Sequence, residues 1–298
     1  MHQNKHQNKQ HVPVLLETVL EYLDPKAEES YLDLTAGYGG HARAIMERTG
    51  SLTRAVLVDR DKNAVDSLHK AFGDKGPDIR WQDYLSASQE LASEHRQFDL
   101  ILADLGVSSP HLNDISRGFS LQETGPLDMR MDQRQALTAE AILNTYSQSA
   151  LTDILKRYGE EPKAAQIAQA IVEARPLRTT EELAGIASRA WPGYSRVHPA
   201  TRTFQAIRIA VNDELGLLEQ SIPIWLQLLA PGGRIAIISF HSLEDRLVKQ
   251  MLADAAGDRY DAELRLLTKR PVTADANEIV SNPRARSAKL RAAVKINK

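Results

Sequence analysis

Three short apolar runs in this chain each end in an aspartate. Leu100-Ile101-Leu102-Ala103 is closed by Asp104, Ala55-Val56-Leu57-Val58 by Asp59, and Tyr31-Leu32 by Asp33. Short apolar runs without polar alternation read as strands covered on both faces, the condition of a parallel sheet. Helix-like segments stand between them, at about His41 to Arg48 and Lys62 to Phe72, with a further one at Val14 to Tyr22. Ile79-Trp81 reads as a weaker strand. The βαβαβ order predicts an α/β fold with a doubly wound parallel sheet. Such a sheet presents ligands at the carboxyl ends of its strands, which is where the aspartates fall.

The pattern then changes. From about His111 to Asn212, helical periodicity replaces the strand pattern, with amphipathic segments at Ala136–Tyr146, Ser149–Tyr158, Pro162–Ala174 and Thr180–Ala190. Thr179 or Thr180 is a suitable N-cap, followed by Glu181 and Glu182 in the first turn. Strand character returns at Pro231 to Ser239, and Leu264–Leu267 with Lys289–Lys295 are expected to pair as a closing antiparallel hairpin. The expected organisation is a tail over 1–10, a sheet domain over 11–110 and 213–298, and a helical insertion over 111–212.

At 298 residues the chain can bury a substantial core, and its 42% hydrophobic and 26% charged content suits a globular protein. No apolar run reaches the ~20 residues of a membrane span, and the Gln- and Asn-rich start lacks the apolar region of a secretory signal. No membrane partner is therefore expected. Zero cysteines exclude disulfides, thiolate metal sites and thiol nucleophiles, in keeping with a cytoplasmic protein. A formal net charge of -2 means that any nucleic acid must be held by a local basic patch. Asn282 to Lys289, with Lys269, Arg270 and Arg291, supplies one. No His or carboxylate pair has metal-ligand spacing.

The first strand leads into Gly37-Tyr38-Gly39-Gly40-His41, a loop that lets backbone approach a ligand closely. Asp59, nineteen residues beyond Gly40, is placed to accept hydrogen bonds from two ribose hydroxyls. Both features suit an adenosine-type cofactor. Gly37, Gly39 and Ala42 also satisfy the G-x-G-x-x-A dinucleotide pattern. However, Asp33 would repel a pyrophosphate and attract a sulfonium and an α-amino group, which favours S-adenosylmethionine without removing the NAD-type alternative.

Asp104-Leu105-Gly106-Val107-Ser108-Ser109-Pro110 forms the second rim. A carboxylate there can accept N–H bonds from an exocyclic base amine and localise its lone pair. Pro110 would wall a flipped base, since enzymes reach such atoms by extruding the base. Arg117, in Arg117-Gly118-Phe119-Ser120, and Arg130, between Met129 and Met131, put charge among large apolar side chains. Arg202 and Phe204, two residues apart, suit phosphate contact and base stacking, or equally a helix start with a core ring. His241, Ser242 and Glu244 follow the last parallel strand, where they serve acid–base chemistry or cap a helix.

Taken in order, the Asp104 to Pro110, Arg117 to Ser120, Gly125 to Asp132, His198 to Ala206, Ser239 to Arg246 and Asn282 to Leu290 blocks resemble the RsmH (MraW) family. His11-Val12-Pro13-Val14-Leu15-Leu16 and Gly39-Gly40-His41 match as well, so the resemblance runs from His11 to about Ala293. It implies a class I (Rossmann-like) methyltransferase sheet with an inserted helical substrate-recognition domain. It further implies S-adenosylmethionine-dependent methylation of N4 of a cytidine in the decoding centre of small-subunit (16S) ribosomal RNA, read within assembled small subunits.

Carried over by position, cofactor contacts fall on Gly39, Gly40, His41, Asp59, Tyr84, Asp104 and His111; Asp104, at the shared boundary, is the candidate catalytic residue, touching the cofactor, the amine or both. Substrate contacts are assigned to Ser108, Ser109, Pro110, Arg117, Arg130, Arg202, Phe204, His241, Ser242 and Glu244. Three positions depart from the family pattern. Asp33-Leu34-Thr35 stands where Asp-Gly-Thr is common, Tyr84 replaces Phe, and His111 replaces Gln. The rival functions are an NAD-type oxidoreductase and a ribosome-assembly factor without turnover.

Overall fold

The computed structural model describes residues 13–73, 75–107, 109–193, 197–257 and 262–296. Its elements begin with α1 (Leu16–Leu23), β1 (Tyr31–Asp33), α2 (Gly40–Thr49), β2 (Ala55–Asp59), α3 (Lys62–Phe72), β3 (Asp78–Trp81), α4 (Tyr84–Ser93) and β4 (Phe98–Asp104). The middle of the chain holds α5 (Ser109–Asn113), α6 (Ala139–Thr145), α7 (Gln148–Gly159), α8 (Ala164–Glu173), α9 (Thr180–Ala190) and α10 (Thr201–Asn212). Then follow α11 (Glu214–Leu228), β5 (Leu229–Ser239), α12 (Ser242–Ala255), β6 (Leu264–Leu266), α13 (Ala276–Ser281) and β7 (Lys289–Lys295).

Two compact units result. One comprises the chain through Asp59, Asn63–Leu105 and everything from Ser221; the other comprises Arg60–Lys62 and Gly106–Gln220. The first carries a seven-stranded sheet of order β3-β2-β1-β4-β5-β7-β6. The first five strands in that order run parallel, and β7 is antiparallel to both β5 and β6. The fold is thus an α/β, Rossmann-like sheet. Leu264–Leu266 and Lys289–Lys295 do pair, but not as a hairpin. Helix α13 and a 3-10 turn at Pro283–Ser287 intervene, and β7 lies between β5 and β6.

Burial explains the strand composition. All of Tyr31–Asp33 is buried, and only the terminal Asp59 of β2 is partly open. Tyr31, Leu57, Leu100, Leu102, Ala236, Ile238 and Leu290 pack in one apolar cluster with Val19, Leu23 and Ile45 of the helices.

The second unit has its own core, including Ile142, Leu151, Leu155, Ile167, Ile171, Leu183 and Phe204. Its helices begin where short polar side chains satisfy the free amides of the first turn. The Thr138 and Ser147 hydroxyls accept from Ala141 and Ala150, and Thr179 forms a reciprocal capping box with Glu182. Among the described residues, no helix is long and apolar enough to cross a membrane.

Candidate active site

The order change that makes β1 the neighbour of both β2 and β4 opens a crevice at their carboxyl ends. Tyr31 pairs with Leu100 and Asp33 with Leu102, so β4 extends two residues further and puts Asp104 on the same edge. The turn after β1 is pinned on both sides. The Leu34 amide donates to the Leu102 carbonyl (2.9 Å) and the Ala36 amide to the Val58 carbonyl (2.9 Å). The Asp104 amide donates to Thr35 Oγ1 at 2.6 Å. That last bond ties the catalytic candidate to the loop.

The glycine loop is shaped by what a side chain would hit. Gly39 has φ +80°, and a Cβ there would lie 3.0 Å from Leu68 Cδ2 and 3.2 Å from the Phe72 ring. A Cβ on Gly40 would lie 2.5 Å from Pro13 Cγ. Helix α2 therefore starts directly on the loop, with the ring of His41 buried in its first turn.

His41 Nε2 stands 3.6 Å from Asp104 Oδ2. Neither His41 ring nitrogen nor Asp104 Oδ1 has a hydrogen-bond partner among the described residues. Buried polar atoms left this way are costly unless a ligand completes them. Asp33, expected at the rim, instead lies beneath it, 1% exposed. Its carboxylate accepts the Tyr31 hydroxyl at 2.6 Å and the Thr35 amide at 3.2 Å. Burial pushes Asp33 up to about 6, against the lowering effects of Tyr31, His41 and Thr35. Burial and the adjacent Asp33 likewise push the Tyr31 hydroxyl well up.

On the other flank, Asp59 Oδ2 accepts the Gly37 amide at 2.8 Å. Tyr84 opens α4 behind Asp83, whose carboxylate caps the helix through the Leu85 and Ser86 amides. The Tyr84 ring meets Trp225 edge to face, with centroids 5.5 Å apart. Trp225 is itself anchored by an indole N–H bond to Ser88 Oγ at 2.9 Å. Gly39, Gly40, His41, Asp59, Tyr84 and Asp104 thus all belong to the sheet unit, on loops and strand ends of β1 to β4.

The other expected residues are more dispersed. Ser108 lies outside the described residues, as do the side chains of Ser109 and His111, while Pro110 is half-buried in α5. Several expected substrate contacts are committed to structure instead. Arg117 is 3% exposed, 3.5 Å from Asp61, and donates to the carbonyls of Arg130 and Met131 at 3.0 Å each. Arg130 grips both oxygens of Asp128 (2.8 and 2.9 Å) and the Gln133 and Gln135 carbonyls. The Phe204 ring is buried in the helical core, because its position on α10 faces inward. Arg202, two residues earlier and so on the opposite face of α10, is exposed and donates to the Glu160 carbonyl at 3.2 Å.

His241 and Glu244 form a helix cap rather than an open acid–base pair. His241 Nδ1 accepts the Glu244 amide at 3.3 Å, and Glu244 Oε2 accepts the Phe240 amide at 2.8 Å. Ser242 is the first residue of that helix. In the basic segment, Arg291 and Lys289 are drawn onto Asp245 at 2.7 and 3.3 Å, leaving Lys269, Arg270 and Arg286 as exposed cations.

A model of the MraW methylase family matches residues 8–296 of this sequence. The chain belongs to the MraW methylase family. It is 48% identical to a ribosomal RNA small subunit methyltransferase H of a Cyanothece species, over 96% of this chain and 95% of the relative. It is 46% identical to the protein of the same name in Nitratidesulfovibrio vulgaris, with the same coverage of both chains. Among solved structures, a putative rRNA methylase from Clostridium thermocellum aligns with TM-score 0.47 and 11% identity, covering 97% of this chain and 99% of that one.

Membership makes the chain a methyltransferase with S-adenosylmethionine as cofactor. The donor set fits that group. Carboxylates at Asp59 and Asp104 flank the glycine loop, with Asp33 buried beneath it, and a sulfonium with an α-ammonium is the ligand such a field attracts. Family membership, rather than the geometry of the loop, sets the NAD-type alternative aside.

Sequence reasoning missed three contributors. Thr35 and Tyr31 were detectable, since residues i and i+2 of a strand share a face and put Tyr31 beside Asp33. Trp225 had no such signal, because it comes from α11, which the sequence pattern did not reveal.

Proposed function

We propose that this chain transfers the methyl group of S-adenosylmethionine to N4 of a cytidine in the decoding centre of small-subunit (16S) ribosomal RNA, with assembled small subunits as substrate. The observation that carries the reading is Asp104 beside the glycine loop, with Oδ2 3.6 Å from His41 Nε2 and Oδ1 without a hydrogen-bond partner among the described residues. The names of the relatives, ribosomal RNA small subunit methyltransferase H, support the choice of RNA. The block-by-block resemblance of the sequence supports the choice of cytidine N4.

Bound S-adenosylmethionine supplies an electrophilic methyl on a sulfonium. Gly39 and Gly40 would admit it against bare backbone, Asp59 would face the ribose hydroxyls, and Tyr84, braced by Trp225, would pack on the adenine. The amine of cytosine is a weak nucleophile because its lone pair is shared with the ring. Asp104 accepts one of its N–H bonds, which draws the lone pair onto nitrogen and orients it. The Thr35 bond to the Asp104 backbone holds that carboxylate in place. No prior deprotonation is needed: as the N–C bond forms and the methyl leaves sulfur, the amine becomes more acidic and its proton passes to the Asp104 carboxylate that already accepts the N–H.

The helical unit is assigned to substrate recognition, with Arg202 as its phosphate contact. Lys269, Arg270 and Arg286 add sequence-independent attraction for the phosphate backbone. The deciding experiment is methyl transfer to purified unmethylated small subunits and to the free RNA, read by nucleoside mass spectrometry. N4-methylcytidine at one decoding-centre position, formed on subunits, is the expected product. Methylation of another atom, or none with cofactor bound, would replace this reading, the second outcome by a non-catalytic assembly role.

A further inference from the structure

S-adenosylmethionine and its demethylated product share the adenosine, the ammonium and the carboxylate. They differ by a methyl group and one positive charge on sulfur. An enzyme that must release the product therefore gains from a group that senses that charge alone. The sheet unit contains a candidate that the transfer chemistry does not use.

Asp33 lies under the turn that leads into the glycine loop, fully buried. Its partners are neutral donors, the Tyr31 hydroxyl (2.6 Å) and the Thr35 amide (3.2 Å). The charged or titratable groups that act on it are Tyr31 on its own strand, His41 from α2 and Asp104 from β4. Asp104 opposes its ionisation and His41 favours it. The same two side chains border the cofactor position, so any positive charge placed between them acts on Asp33 also.

We propose that the buried Tyr31–Asp33 pair makes the cofactor floor prefer the sulfonium to the neutral thioether, and that one proton on Asp33 switches this preference off. The inference rests on the cofactor assignment above. Ionised, Asp33 adds an uncompensated negative charge beneath the site, felt strongly because it is screened by protein rather than water. Protonated, it retains its hydrogen bonds and loses the field. Coupling is reciprocal: whatever factor the sulfonium contributes to ionising Asp33, ionised Asp33 contributes to binding the sulfonium. Tyr31 acts as a positioning residue, since its hydroxyl favours the charged carboxylate.

The test is calorimetric titration of the full chain with S-adenosylmethionine and, separately, with S-adenosylhomocysteine, between pH 5 and pH 8. For the unaltered chain, the preference for the sulfonium ligand should fall by about ten-fold on acidification, the size of a one-unit coupling. Asp33→Asn should give a flat ratio near the acid value. Tyr31→Phe should keep the alkaline ratio and move the midpoint to higher pH. If Asp33→Asn does not fold, by circular dichroism, the Tyr31→Phe midpoint decides alone. A ratio independent of pH in the unaltered chain, or an unchanged pH dependence in Asp33→Asn, overturns the proposal. Failure of both ligands to bind would instead overturn the cofactor assignment.

Discussion

Replacing Asp33 by Asn should stabilise the sheet unit at alkaline pH and destabilise it at acid pH. The argument starts from the burial that pushes this carboxyl from an ordinary 3.8 up to about 6. Because its folded value lies above its unfolded one, the folded state binds the proton more tightly. Stability from this site is complete below the unfolded value and is lost as pH rises through about 6. At pH 8 the site therefore leaves the folded state less stable against the unfolded one by about 3 kcal/mol than when the carboxyl is protonated in both. Asn cannot titrate and escapes that cost. It introduces a smaller, fixed one: its carbonyl accepts the Tyr31 hydroxyl, but its amide then faces the Thr35 N–H, losing one hydrogen bond worth about 1 kcal/mol.

The net expectation at pH 8 is a variant more stable by about 1–2 kcal/mol, and at pH 4.5 one less stable by a fraction of 1 to about 1 kcal/mol. The swing of about 2 kcal/mol between the two pH values is independent of the fixed cost. It is read by urea dependence of hydrogen exchange at β1 and β4 amides, so that the measured opening belongs to the sheet unit. A stability difference of the same size at both pH values would show that Asp33 is ionised throughout, and the burial argument would be wrong.

Further outcomes follow from the same geometry. Asp104→Asn should lower kcat for methyl transfer by about 100-fold or more while the circular dichroism spectrum is unchanged; full activity would remove Asp104 from the chemistry. Phe204→Ala should cost about 3–5 kcal/mol in unfolding of the helical unit, as a buried core ring does. Arg202→Ala should instead leave folding intact and weaken subunit binding, shown by a raised KM with an unchanged Kd for S-adenosylmethionine. Thr179→Ala, which breaks the capping box, should cost about 1 kcal/mol by urea titration. Tyr84→Ala should weaken cofactor binding about ten-fold or more by calorimetry, the order expected for a lost aromatic stacking partner.

The parallel sheet was legible because its strands are covered on both faces and so carry unbroken apolar runs, each closed by a polar residue where the cover ends. Helices with one exposed face were legible for the same reason: α9 shows its cap, its acidic first turn and its stripe. What escaped were elements whose local pattern is overridden by burial or by a breaker. Helix α11 carries Pro223 in its interior, on an exposed position where water can serve the carbonyl it leaves unpaired, and Trp225, Leu226 and Leu228 are buried beyond it. At the site, residue type and spacing located the strand ends but not depth. Arg117, Arg130 and Phe204 look like a nucleic-acid surface in sequence, yet Asp61, Asp128 and the helical core claim them. His241 and Glu244 could be read either way, and the Glu244 and Phe240 amides decide for the cap.

Depth is also what separates the three aspartates. They occupy equivalent places, the carboxyl ends of adjacent strands β2, β1 and β4, and a sequence gives them no distinguishing mark. Asp59, at the partly open end of β2, accepts the Gly37 amide and so ties that strand end to the loop. Asp104, its side chain 25% exposed, stands at the edge next to His41, the place proposed above for an incoming amine. Asp33, sealed beneath them, can meet no ligand and can act only through its field. The strand lengths produce this division. Because β1 stops at the register position of Leu102, its chain turns over its own last side chain, while β4 continues to Asp104 and delivers that carboxylate to the edge. A two-residue stagger between neighbouring strands therefore turns chemically identical groups into a partly exposed carboxylate at the edge and a buried one beneath it.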